Sequence, residues 1–153
     1  MGAAPGGYGA DMAVRHASAH WTGTLTEGTG TMRTGKGGYE GPYSFHSRFE
    51  EGEGTNPEEL IGAAHAGCFS MFIAKLLTDA GHTPTAVDTN ARVHLERTDA
   101  GQTVTRIELD TTVSAPGIAE ERFQELAEEA KRDCPISRLL APGTEIALSA
   151  RLA

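Results

Sequence analysis

The chain has 153 residues, 39% of them hydrophobic and 22% charged, with no break in composition along its body, so a single globular domain of ordinary size is expected. Lysine and arginine number 13 against 21 acidic residues, and the net charge of −8 argues against a partner held by its phosphate backbone, which needs a basic stripe to displace counterions. Nucleic acid is not an expected partner, and the longest run free of acidic and basic residues, Leu60 to Ala74, falls short of the roughly 20 apolar residues that span a bilayer, so no membrane partner is expected either.

The opening MGAAPGGYGADMAVRH has small, flexible residues but no basic cluster followed by an apolar run, and so does not read as a secretory signal. Residues 1–12 read as a flexible extension and residues 13–153 as the domain. A cytoplasmic location is expected, where a permanent disulfide is disfavoured.

Between Ala17 and Leu25 the odd positions Ala17, Ala19, Trp21, Gly23 and Leu25 are apolar or small and alternate with Ser18, His20, Thr22 and Thr24, the pattern of a half-buried strand. A short strand is expected around Thr31 to Thr34 in the glycine-rich interval that follows. Tyr43, Phe45, Ser47 and Phe49 then alternate with Ser44, His46 and Arg48, which predicts a third strand with Arg48 on the face opposite Phe45 and Phe49.

After the loop EEGEGT a helix is expected from Asn56 to Ala80. Asn56 suits the N-cap, Pro57 the first helical position, and Glu58 and Glu59 the positive end of the dipole. Gly81 offers a left-handed C-terminal cap, and Pro84 blocks continuation. With no charge from Leu60 to Ala74, this helix is expected to be buried on every side. Two strands follow, carrying Val87 to Leu95 and Ile107 to Val113, joined by a hairpin turn at Asp99, Ala100 and Gly101. A second helix from Ile118 to Asp133 places Phe123, Leu126, Ala127 and Ala130 on one face and stops at Cys134, before Pro135. A last strand turns Ile146, Leu148, Ala150 and Leu152 inward. The order of three strands, helix, two strands, helix, strand indicates an α+β fold.

The two cysteines, Cys68 in the first helix and Cys134 at the end of the second, fit either burial for packing or paired redox or metal chemistry. The segments RFEEGEGTNPEELIGAAHAGCFS (Arg48 to Ser70) and CPIS (Cys134 to Ser137) resemble the signatures of the OsmC/Ohr family, the osmotically inducible and organic hydroperoxide resistance proteins, and lie nearer the OsmC branch. TPTAVDT after the first helix and APGI before the second extend the likeness. The resemblance implies an OsmC-like fold, antiparallel sheets around two long helices, and an intertwined homodimer with active sites at the subunit interface. It implies thiol-dependent reduction of hydroperoxides, organic ones preferred, with Cys68 as the peroxidatic thiol, Cys134 as the resolving thiol, and Arg48 with Glu58 as the polar pair beside the first thiol. It implies no metal and no bound organic cofactor. A dithiol must act as reductant, and the hydroperoxide-resistance branch suggests a lipoyl dithiol.

The chemistry supports these roles. A thiolate attacks the O–O bond, so Cys68 must ionise below the value of about 8.5 of a free thiol. Burial in an apolar helix opposes this, and the helix dipole acts only over the first turn. A cation from elsewhere in the fold is required, and the guanidinium of Arg48 suits it. Glu58 precedes Cys68 by ten residues, roughly 15 Å along one helix at about 1.5 Å per residue, so it serves that site across a dimer interface or else simply favours the helix start. The sulfenic acid formed on Cys68 condenses with Cys134, whose place at a helix end suits movement. Phe69, Met71, Phe72 and Ile73 fit a pocket for an alkyl or aryl tail or, more simply, the core.

Two alternatives stay open. His65 and Cys68 share a helical face and Cys134 adds a third donor for a metal, although no paired ligand spacing accompanies them and His65 reads as a packed, hydrogen-bonded histidine. A noncatalytic dimer that binds small apolar molecules needs neither thiol.

Overall fold

The structure, a computed structural model, describes residues 13–153. The expected extension 1–12 lies outside the described residues. Two compact units divide the chain after Asn56.

In the first unit, β1 (Ala17–Thr22), β2 (Thr29–Thr34) and β3 (Glu40–Tyr43) form an antiparallel sheet in the order β1-β2-β3. Gly30 pairs with Trp21 on one side and Tyr43 on the other, and the two rings close over it with centroids 5.2 Å apart. A Cβ at Gly30 would stand 2.5 Å from Tyr43 Cε1 and 2.7 Å from Trp21 Cε3, so only glycine admits this ring pair. The first strand ends three residues before the expected Leu25, whose side chain is exposed.

The strand expected over Tyr43 to Phe49 is corrected. It ends at Tyr43, and α1 (Phe45–Phe49) follows. Alternation lost to a capping box: the Ser47 amide donates to Ser44 Oγ at 3.1 Å and the Ser44 amide to Ser47 Oγ at 2.8 Å. The Ser47 hydroxyl also donates to the Thr55 carbonyl at 2.6 Å, and the Asn56 side-chain amide donates to the Ser47 carbonyl at 2.9 Å, which pins α1 to the loop after it.

The second unit contains α2 (Pro57–Asp79), β4 (Ala86–Thr98), β5 (Gly101–Ser114), α3 (Glu120–Asp133), α4 (Pro135–Leu140) and β6 (Glu145–Leu152). Gly81 takes the expected left-handed cap with φ +87°, and the His82 amide reaches back to the Leu77 carbonyl at 2.8 Å. β4 and β5 pair as an antiparallel hairpin that closes at Thr98 and Gly101, as the turn residues predict. The expectation of antiparallel sheets throughout is corrected at β6, which runs parallel to β5 from Arg106–Glu145 to Val113–Leu152. The physical reason is the connection: the chain returns through α3 and α4, and a helical crossover brings the next strand back in the same direction.

α2 packs on β4, α3 and α4. Phe69, Ile73 and Leu77 of α2 meet Ile107, Leu109 and Val113 of β5 and Phe123, Leu126, Ala127 and Ala130 of α3 in one core. Gly62 lets β4 come close, since a Cβ there would lie 3.2 Å from Val93 Cγ2. By length and composition alone α2 is apolar enough to cross a membrane, with a mean hydropathy of 1.6. It is not buried on every side as its sequence predicts. Its buried stripe runs through Glu58, Gly62, His65, Phe69, Ile73 and Leu77, while Ala63, Ala64, Gly67 and Met71 are exposed, Met71 at 78%.

Candidate active site

Cys68 lies near the middle of α2, and Cys134 occupies the joint where α3 ends and α4 begins. Pro135 explains that joint. It disfavours helical backbone at the residue before it, yet its own fixed φ suits the first turn of a new helix. Cys134 accordingly has φ −54° and ψ 131°, and its amide still caps α3 by donating to the Ala130 carbonyl at 3.0 Å. The short α4 that follows is absent from the sequence expectation.

Sixty-six residues apart in sequence, the two sulfurs stand 3.0 Å apart, with the Cys134 thiol donating to Cys68 Sγ. Both are free thiols, the distance exceeding the roughly 2.05 Å of a disulfide bond. Cys134 is fully buried, whereas Cys68 is half-buried and is the more accessible of the pair. This reverses the expected order of exposure, in which Cys68 was the buried residue and Cys134 the mobile one. Burial pushes the Cys68 thiol up, and its shared proton with Cys134 pushes it further up; the backbone amide of Ile136 pulls it down. The net push is upward, toward the protonated thiol.

Arg48 sits on α1 in the first unit, its guanidinium 5.2 Å from the centre of the Phe49 ring. With Trp21, Leu25, Tyr43, Ser44, Phe45 and Phe49 it lines a depression of about 250 Å³. Glu58 lies in the first turn of α2 and is buried, ten residues before Cys68, so one helix does not bring the two together. Of the four expected site residues, the structure brings Cys68 and Cys134 into contact.

His65, one turn before Cys68, is fully buried, and its Nε2 lies 2.7 Å from the hydroxyl of Ser137, itself buried one turn after Cys134. Burial holds the imidazole below its usual pKa, which favours the neutral ring. Among the described residues no group of three or more His, Cys, Asp or Glu is arranged to hold an ion. His65 is thus the packed, hydrogen-bonded histidine its sequence position suggests. Phe69 and Ile73 are wholly inside the core and line no open pocket. The Ile136 amide beside Cys68 was missed because α4, which presents it, was not expected; the CPIS segment itself was the available signal.

The profile of the OsmC-like proteins matches residues 50–149. The chain is 49% identical over 123 residues to Peroxiredoxin OsmC of Escherichia coli (strain K12), covering 80% of this chain and 86% of that protein, and the same holds for Peroxiredoxin OsmC of Shigella flexneri. Among solved structures, an organic hydroperoxide resistance protein from Elizabethkingia anophelis is similar with a TM-score of 0.73 at 20% identity, over 92% of this chain and 99% of that one. The organic hydroperoxide resistance protein OhrB of Bacillus subtilis gives 0.67 at 20% identity, over 88% and 97%. These two likenesses carry the fold, and the closer sequence likeness carries the kinship. The chain belongs to the OsmC-like protein family.

Proposed function

We propose that this protein is a thiol-dependent peroxidase that reduces hydroperoxides, organic ones preferred, to alcohols. The observation that carries the reading is the 3.0 Å approach of two free thiols of unequal exposure, in a chain 49% identical to proteins named Peroxiredoxin OsmC. Cys68 thiolate attacks the terminal oxygen of ROOH. The O–O bond breaks, the alkoxide leaves and takes up a proton as ROH, and Cys68 keeps OH as a sulfenic acid. Cys134 sulfur, giving up its proton, then attacks Cys68 sulfur; the S–O bond breaks, water leaves and the disulfide forms. A dithiol restores both thiols by exchange and leaves as its own disulfide. A lipoyl dithiol fits that role, and two free thiols suit the reducing cytoplasm.

The accessible Cys68 is the sulfur a peroxide meets first, which supports attack by Cys68 and resolution by Cys134. The upward push on Cys68 supports a role for Arg48 in holding the thiolate and the leaving alkoxide, with Glu58 orienting the guanidinium. A homodimer with its active sites at the interface accommodates these roles, since one subunit's Glu58 and Cys68 are held apart by the length of α2. The exposed Ala63, Ala64, Gly67 and Met71 give α2 an apolar face for such a partner.

One equivalent of tert-butyl hydroperoxide is expected to convert the reduced protein to an intramolecular Cys68–Cys134 disulfide, seen by mass after alkylation. Cys68→Ser is expected to abolish peroxide consumption, and Cys134→Ser to accumulate sulfenic and sulfinic acid on Cys68. Peroxide consumption at the full rate in Cys68→Ser would end the proposal.

A further inference from the structure

Beside the Ile136 amide's bond to Cys68, two side-chain contacts join α2 to the segment around Cys134, and they lie one helical turn from each other. At one level Cys134 meets Cys68; at the other Ser137 meets His65. His65 precedes Cys68 by three residues on α2, and Ser137 follows Cys134 by three on α4, so each partner of the second contact is on the same face as a sulfur of the first.

The second contact is unusual in its setting. His65 and Ser137 have 0% and 1% of their surface exposed, among the core side chains of α2 and α3. The Nδ1 atom of His65 is buried with no hydrogen-bond partner. A buried unpaired polar atom costs free energy, and an aromatic or aliphatic side chain would fill the same space without it. The cost is least with the proton on Nε2, which then donates to Ser137 Oγ and leaves only a lone pair unpaired at Nδ1. A histidine kept there despite this cost needs a reason, and the geometry supplies one.

Backbone bonds hold Cys134 to the helices on either side of it, its amide donating to the Ala130 carbonyl and its carbonyl accepting from the Arg138 amide, but they do not set its place against α2. It belongs to neither helix, its backbone is extended, and Pro135 after it has no amide to donate. α4 is only six residues long, and a helix of that length has small stability of its own. Its rotation or slide against α2 by part of a turn would carry Cys134 Sγ away from Cys68, and an intramolecular reaction loses much of its advantage when the reacting atoms are misplaced by about 1 Å.

Resting on the peroxidase reading above, we infer that His65 and Ser137 are positioning residues for the resolving step: their hydrogen bond sets the register of α4 on α2 and holds Cys134 in line to attack the Cys68 sulfenic acid. Neither touches the peroxide. The step they serve is Cys68–SOH plus Cys134–SH giving the disulfide and water, in which the S–O bond breaks as the S–S bond forms. They take no part in the balance of that reaction.

The test separates the two chemical steps. In rapid-mixing experiments with tert-butyl hydroperoxide, dimedone-type trapping reports sulfenic acid on Cys68 and mass after alkylation reports the disulfide. Ser137→Ala and His65→Leu are expected to form sulfenic acid within about twofold of the unaltered rate, but to form the disulfide about tenfold more slowly and to reach the sulfinic acid at lower peroxide. His65→Gln, whose amide nitrogen falls near the position of Nε2, is expected to recover the disulfide rate to within about threefold. Should His65→Leu fail to fold, Ser137→Ala, which removes a single oxygen, decides the matter. Disulfide formation at the unaltered rate in folded Ser137→Ala would overturn the inference, as would an equal slowing of both steps or no recovery with glutamine. Unaltered protein that forms neither sulfenic acid nor disulfide would overturn the peroxidase reading and this inference with it; unaltered protein that forms both, beside variants that resolve normally, would remove the inference alone.

Discussion

At Cys68 the surroundings work against the chemistry. Burial and a neighbouring sulfur both favour the thiol, and the Ile136 amide alone is a modest counterweight. If Arg48 supplies the missing charge, Arg48→Ala should raise the pH at which Cys68 reacts with iodoacetamide by about 1–2 units, the range an opposite charge within a few ångströms produces. An unchanged alkylation profile would remove Arg48 from the site. His65 gives a second test at this scale. Its folded pKa is lowered by burial, so its contribution to stability is fully present above the unfolded value of about 6.5 and is lost as pH falls through the lower folded value. The melting temperature should drop between pH 7.5 and pH 5 by a smaller amount in His65→Gln than in the unaltered protein. Both sulfurs were legible as candidates for packing or for paired chemistry, and their pairing came with the family resemblance. Ser137 was legible only as a letter of a motif, because its value depends on a short helix that periodicity is too brief to reveal.

The elements show where pattern and local chemistry compete. Over Tyr43 to Phe49, four alternating positions pointed to a strand, but two serines three residues apart close a capping box that satisfies orphan amides at once. Ser47→Ala removes that reciprocal bond and the one to the Thr55 carbonyl, and is expected to destabilise the protein by about 1–2 kcal/mol in urea or guanidinium unfolding. An effect under a few tenths would mean that the box does not hold α1. The long helix, the hairpin and the amphipathic α3 were legible because each has a strong period and clear ends. The direction of β6 was not: alternation says which side chains face the core, while parallel or antiparallel pairing is decided by what the connecting chain does.

For the whole molecule, the charge-free run in α2 predicted a helix enclosed on all sides, yet one stripe is left open at Ala63, Ala64, Gly67 and Met71. Apolarity in sequence registers that a surface will be covered without saying by what. If the proposed homodimer forms on this face, Met71→Lys should convert the dimer to a monomer in sedimentation velocity while peroxide consumption falls. Dimers that persist with full activity in that variant would place the interface elsewhere. The α+β architecture and the kinship of the chain were legible in the sequence, whereas an assembly depends on surfaces that one chain leaves bare.

In the proposed cycle, the unequal depth of the two sulfurs also favours one direction of recycling. If the bridge forms as proposed, an incoming reductant meets the more exposed Cys68 first, so the transient adduct should be carried on Cys68 and the inner sulfur should depart as an anion into a dry enclosure. Turnover in that cycle would then depend on how readily that enclosure accepts a charge and passes it a proton, and on whether a donor's sulfur is slender enough to arrive.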